Sequence, residues 1–374
     1  MEIRLSKSCV GKQEQQSVCR ILRNGYLGMG SEVTLFESEL NRFIGEEIEV
    51  ACVSSGTAAL HLSLVCLDIG HGDEVLVPSI TYVASFQAIS ASGAKPVACD
   101  VSLDDGFLDL KHAESMINEH TRAIMPVHYA SNSRRMKNVY DLAKKYNLRV
   151  IEDAAHSFGG IRDRSKIGSE GDIVCFSFDG IKNITCGEGG AVVSKDPRFI
   201  ERVKDARLLG VIKDTEKRQK GKRSWQFDVK HQGFRYHMSD IMAAIGRVQL
   251  TRFDEFKEKR RLLLKDYLAG FQDFNQLKLL NLDYVNIVPH IFVIRVEESQ
   301  RNLLKNYLAK LGIESGIHYN PNHLLQFYKT TYKIPNSEVL GCELLSLPLH
   351  PELRSEQQLK VIQSVKSFFN EQKS

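Results

Sequence analysis

No CxxC pair occurs among the eight cysteines of this sequence, and most of them sit in apolar runs, as around Cys66 and Cys175. Free thiols in a reducing compartment explain that pattern better than disulfides. Residues 1–12 (MEIRLSKSCVGK) lack the apolar run of a signal peptide. No stretch approaches the roughly 18–20 apolar residues of a membrane span. The formal net charge is only +4, with acidic and basic residues interspersed, which argues against a dedicated nucleic-acid surface. There is no internal repeat and no low-complexity tract. From these absences the protein is expected in the cytoplasm, with neither membrane nor nucleic acid as a partner.

What is present is an ordinary globular composition over 374 residues, 43% hydrophobic and 26% charged. That length predicts two or so structural units. Between residues 48 and 195 short apolar runs alternate with helical periodicity. Residues 48–53, 74–77, 95–98, 123–127, 148–151 and 173–178 read as strands, and 57–67, 83–92 and 134–146 as helices between them. Such alternation predicts an α/β unit with a mostly parallel sheet covered on both faces. Residues 213–223 (KDTEKRQKGKR) read as a solvated loop. Beyond them, 239–250, 253–271 and 302–311 read as helices and 291–296 as a strand. The expected division is an N-terminal arm and large domain over 1–249 and a smaller α+β domain over 250–374.

Three segments carry residues suited to chemistry. Ser54-Ser55-Gly56-Thr57-Ala58 follows an apolar strand and opens a helix. Its glycine permits a tight turn, and the first helical N–H groups with the neighbouring hydroxyls make an anion cradle. A capped helix with nothing bound would look the same. Glu152-Asp153 ends a strong apolar strand, at the edge where α/β sheets place their ligands. Ordinary strand-end polarity accounts for it equally. Lys182 lies just past a strand between the apolar residues Ile181 and Ile184, before the turn Gly187-Glu188-Gly189-Gly190. An amine in apolar surroundings loses its proton readily and can attack a carbonyl, although a surface lysine with a buried stem fits the same local pattern.

Their combination is more telling. A phosphate cradle, an acid at a strand end and a lysine 29 residues after it (182 − 153) follow in this order along one sheet. Pyridoxal phosphate (PLP) needs those three groups: an anchor for its phosphate, a carboxylate for its ring nitrogen and an amine for its aldehyde. Tyr82 could add an aromatic face.

At these residues the chain resembles the DegT/DnrJ/EryC1/StrS sugar aminotransferases of PLP fold type I. The markers are GYLGMG (25–30), SSGTAAL (54–60), GDEVLVPSITYVAS (72–85), IEDAAHSFGG (151–160), SFDGIKNITCGEGG (177–190), GFRYHMSDIMAAIG (233–246), GIHYNP (316–321) and LPLHPEL (347–353). The resemblance implies a large domain with a seven-stranded, mostly parallel sheet and a smaller α+β domain. It implies that Lys182 joins the cofactor and later moves a proton between the amino donor and the cofactor. Asp153 would pair with the ring nitrogen, Tyr82 would stack on the ring, and Gly56, Thr57, Ala58 and Ser177 would hold the phosphate. His156 would stand beside the reacting centre. His318, Tyr319 and His323 would help hold a nucleotide-linked keto sugar, the acceptor of an amino group from L-glutamate. Segment 233–240 would reach into a partner's active site, making the enzyme a homodimer with shared sites.

Two positions depart from the family's usual pattern: Asp179, where histidine is common, and Arg235, where asparagine is common and reaches the partner's cofactor phosphate. Arginine offers a stronger phosphate contact of different length, and Asp179 could tune the sugar site. Relatives that dehydrate the sugar carry histidine in place of the lysine, so Lys182 implies complete transamination. His156 favours amination at C4 of a dTDP- or UDP-linked 4-keto-6-deoxyhexose, since C3-aminating relatives more often carry glutamine there. A PLP lyase is the alternative chemistry, opposed by the sugar-loop motifs. His318 and His323, five residues apart, have no cysteine or acidic cluster at ligand spacing, so no metal is assigned.

Overall fold

A computed structural model describes residues 2–212, 227–229 and 231–371. The first part of the chain supplies strands β1 (Glu49–Val53), β2 (Glu74–Pro78), β3 (Lys95–Cys99), β4 (Thr121–Ile124), β5 (Arg149–Asp153), β6 (Ile161–Arg162), β7 (Ser165–Lys166), β8 (Ile173–Ser177) and β9 (Gly190–Ser194). Seven of them form one sheet in the order β1-β9-β8-β5-β4-β2-β3, while β6 and β7 pair in a small hairpin. Only β9 runs against its neighbours in the large sheet.

Apolar runs become strands here because both faces of the sheet are covered. Side chains alternate between the faces. Ala51, Val53, Ile151, Ile173 and Cys175 pack on one side with Leu60 and Leu62 of helix Gly56–Cys66. Val50, Cys52, Val174 and Phe176 pack on the other with Phe36 and Leu40 of helix Ser31–Ile44. The expected strands are all found, shifted by a few residues. The expected helices over 57–67, 83–92 and 134–146 are Gly56–Cys66, Val83–Ala91 and Met136–Tyr146. Strand β9 is the addition. It is a five-residue run directly behind a glycine cluster, and it carries no helix-strand alternation to announce it. The expected loop over 213–223 lies outside the described residues.

A second core gathers around an antiparallel sheet of β10 (Lys278–Leu279), β11 (Phe292–Arg295) and β12 (Leu344–Leu347). Helix Phe253–Phe271 spans two cores: Phe253 and Phe256 pack with Phe158 and Phe176, whereas Leu263, Leu264 and Tyr267 pack with Phe292 and Leu345.

The first residues split between these bodies. Ile3 is buried in the second core and bridges Ile313. Leu5 accepts from Leu349 N at 3.1 Å, and Ser8 Oγ donates to Gly180 O at 2.5 Å. Helix Lys12–Asn24 then lies on helix Asp240–Thr251, where Glu14 accepts from Gln249 and Arg252.

Candidate active site

Parallel strands bring their carboxyl ends to one edge of the sheet, and there the chain opens a cavity of about 410 Å³. Strand β1 leads into Ser55, β5 ends on Asp153, β8 ends on Ser177, and β2 leads to Tyr82.

One end of the cavity is a cradle for an anion. Ser55 caps helix Gly56–Cys66, its Oγ accepting from Ala58 N at 3.1 Å. The N–H groups at the head of that helix favour negative charge. Gly56, Thr57 and Ser177 line the same end. A Cβ on Gly56 would lie 2.8 Å from Ser177 Cβ, so glycine is what lets the turn and the strand end approach.

Alternation along β5 sends its two acids in opposite directions. Glu152 is fully buried away from the cavity, bonded by Arg162 at 2.6 and 3.0 Å and by the Tyr140 hydroxyl at 2.6 Å, with His128 Nε2 at 2.9 Å. Burial opposes its charge, yet His128 and Arg162 hold its carboxyl at about 2. Asp153 lines the cavity and is 7% exposed. Ser85, in the first turn of helix Val83–Ala91, donates to its Oδ2 at 2.7 Å, and Ala155 N donates to Oδ1 at 3.2 Å. These bonds fix the carboxylate and keep its acceptor capacity aimed.

Lys182 is half-buried on the cavity wall. Its Nζ stands 3.3 Å from Nε2 of His290, a buried residue just ahead of β11. Burial pulls the lysine down to about 8, against the opposing pull of Asp153 and Asp179. Three more rings close this side. His156 Nε2 and the Tyr319 hydroxyl are 3.0 Å apart, and the His156 and His290 rings are 4.5 Å apart between centroids. His318 is bonded through Nδ1 to Ser346 Oγ at 2.7 Å. Burial, then the neighbouring Lys182, pushes all three imidazoles down, His318 to about 4. They are therefore neutral at physiological pH. Tyr82 is 60% exposed at the rim, 5.8 Å from the Tyr319 ring.

The cavity thus gathers Gly56, Thr57, Tyr82, Asp153, His156, Ser177, Asp179, Lys182, His318 and Tyr319. Ala58 lies behind the cradle as the donor to Ser55. Two expected residues are not brought there. His323 is turned away by the short helical turn Asn322–Leu324 and bonds Ser79 Oγ through Nδ1 at 2.7 Å. Arg235 is exposed, paired through its backbone with Leu208 and absent from the cavity wall of its own chain. Ser85 and His290 were not anticipated. The pair Pro289-His290 ahead of an apolar strand was the one signal for the latter.

The model of the DegT/DnrJ/EryC1/StrS aminotransferase family matches residues 8–366. The chain belongs to that family. An uncharacterized Methanocaldococcus jannaschii protein, MJ1066, is 33% identical over 98% of this chain and 97% of its own. The aminotransferase TlmJ from Streptoalloteichus hindustanus is similar in structure, with a TM-score of 0.92, 29% identity and 99% of both chains covered. So is PseC of Helicobacter pylori, an aminotransferase involved in the biosynthesis of pseudoaminic acid, with a TM-score of 0.91, 28% identity, and 99% of this chain and 100% of that one covered.

The aminotransferase is PLP-dependent. The residues in the cavity fit that cofactor. A Cβ-free cradle stands ready for its phosphate, a buried and tethered carboxylate for its ring nitrogen, and a deprotonation-prone amine for its aldehyde. The buried Nδ1 of His156, beside these groups, has no hydrogen-bond partner among the described residues.

Proposed function

We propose that this aminotransferase carries PLP on Lys182 and moves an amino group from L-glutamate to C4 of a dTDP- or UDP-linked 4-keto-6-deoxyhexose, giving a 4-amino-4,6-dideoxy sugar. The observation that carries the reading is one wall holding Lys182, a tethered Asp153 and the Gly56–Ser177 approach together. A sugar as acceptor is supported by the family and by the likeness to PseC, an aminotransferase involved in the biosynthesis of pseudoaminic acid. When bound, PLP supplies an electron sink that lets the Cα–H bond of an amino acid break heterolytically.

The chain supplies the rest. Ser55, Gly56, Thr57 and Ser177 anchor the phosphate end. Asp153 holds a proton on the ring nitrogen. Lys182 Nζ, in its neutral form, takes the proton from the donor's Cα and returns it during amination of the sugar. His156 and Tyr319 orient the acceptor beside Lys182, while His318 and Asp179 line the sugar's side. Tyr82 covers the ring at the rim. His323 acts indirectly, holding the loop that carries His318 and Tyr319. The enzyme works in the cytoplasm as a homodimer, with the exposed Arg235 reaching the partner's phosphate cradle.

The deciding experiment incubates the PLP-loaded enzyme with glutamate and a panel of nucleotide-linked 3-keto and 4-keto sugars, and reads the product by NMR. Nitrogen at C4 is expected. Nitrogen at C3 overturns the regiochemistry. Loss of carbon dioxide or a side chain from the amino acid, with no aminated sugar, overturns the transfer.

A further inference from the structure

Arg260 lies in helix Phe253–Phe271 and is 2% exposed. Among the described residues no carboxylate pairs with its guanidinium. Instead Nη1 donates to the carbonyls of Pro289 (3.1 Å), His290 (3.2 Å) and Leu349 (3.5 Å), and Nη2 donates to that of Ile181 (3.5 Å). Ile181 immediately precedes Lys182, and the imidazole of His290 is what Lys182 Nζ touches. One side chain therefore ties the segment bearing the amine to the segment bearing the amine's neighbour. A buried cation without a counter-charge is a costly way to satisfy carbonyls, and its field falls on the titratable groups around it, Lys182, His290 and His350.

We infer that Arg260 is the positioning residue of Lys182: it fixes the backbone on both sides of the Lys182–His290 contact and adds a positive charge that disfavours protonation of the amine whenever the cofactor releases it. The inference rests on Lys182 being the cofactor's amine. The groups facing Lys182 are Asp153 and Asp179, which favour its protonation, the imidazoles of His156, His290 and His318, and Arg260, which opposes it. Those facing Arg260 are Cys9, His290 and His350. Burial holds Arg260 itself down at about 10, still above the range in which Lys182 titrates.

Borohydride reduction of the PLP-loaded protein and peptide mass mapping come first. A tag on any residue but Lys182 refutes the parent reading rather than this one. The full chain stripped of cofactor is then labelled with trace acetic anhydride across a pH series, and acetylation of the Lys182 peptide is quantified. Only neutral amine reacts, so the midpoint reports the lysine without reference to turnover. Arg260→Gln should raise the midpoint, the direction expected when a charge opposing protonation is removed. Arg260→Lys, which keeps the charge and loses the fork, should leave the midpoint in place but slow recapture of PLP. Cys9→Asp leaves Arg260 and its carbonyl bonds intact and sets an acid within its electrostatic reach. It should raise the midpoint too, and it serves if Arg260→Gln does not fold. A midpoint unmoved in either folded charge-altering variant overturns the inference and leaves Arg260 a packing residue.

Discussion

Lys182 Nζ and His290 Nε2 meet at 3.3 Å although 108 residues separate them in the chain. The contact is made inside a wall of neutral imidazoles, so it orients the amine without adding a charge. Replacing His290 by phenylalanine keeps the bulk and removes the contact. We expect kcat for the glutamate half-reaction to fall about 10-fold, the worth of one hydrogen bond, with KM little changed. Glutamine at 290 should recover part of the loss. Stopped-flow absorbance of the bound cofactor reads both, and an unchanged kcat in the phenylalanine variant would show the contact to be idle.

The lysine's titration near 8 sets a pH dependence. Below that value the free amine is protonated and unreactive, and above it the amine is neutral. Recapture of PLP by the stripped enzyme should therefore accelerate with rising pH and level off about one unit above the midpoint. A rate still climbing steeply at pH 10 would mean an ordinary lysine.

Glu152 gives the acid limit of the fold. Its folded carboxyl sits at about 2 against an ordinary 4.5. A depressed acid stabilises the fold above its unfolded value and loses that contribution as pH falls through the folded one. The window is thus about pH 4.5 down to 2, and the contribution about 3 kcal/mol. Glu152→Gln leaves Arg162 buried without its partner, at a cost of about 3–5 kcal/mol near neutrality. Denaturant titrations of both proteins at pH 7 and pH 3 should show the gap narrowing in acid. An equal gap at both values would refute the pairing.

Gly56→Ala places a methyl group 2.8 Å from Ser177 Cβ. Overpacking of that kind costs about 1–3 kcal/mol, and here it closes the cradle. PLP affinity, measured by equilibrium dialysis, should fall about 10-fold or more while the far-ultraviolet circular dichroism is unchanged. Retained affinity would place the phosphate elsewhere.

The site was legible wherever its chemistry is local in the chain. A glycine turn after a strand marks residues 54–58, an acid at a strand's end marks Asp153, and an amine ahead of a glycine cluster marks Lys182. Each of these signals lies within a few residues of the position it marks. Ser85, His290 and Arg260 carry no such mark, because only the sheet order and the seating of the second core bring them beside the amine. The absence of His323 from the cavity has the same origin. His323 shares a loop with His318, but the turn over Asn322–Leu324 rotates it onto Ser79. Arg235 follows a motif whose destination the single chain does not contain. In the fold, the parallel strands were readable as apolar runs, whereas β9 is paired by topology alone.

The N-terminal segment of residues 3–8 crosses from Ile313 and Leu349 to Gly180, two positions before Lys182. A deletion there is consequently not a harmless trimming of a tail. Shortened versions made for crystallisation or fusion would unlatch the loop that presents Lys182, and should be poorer at keeping their vitamin while remaining well folded. Leaving those residues free of rigid tags is the practical rule for anyone handling the enzyme.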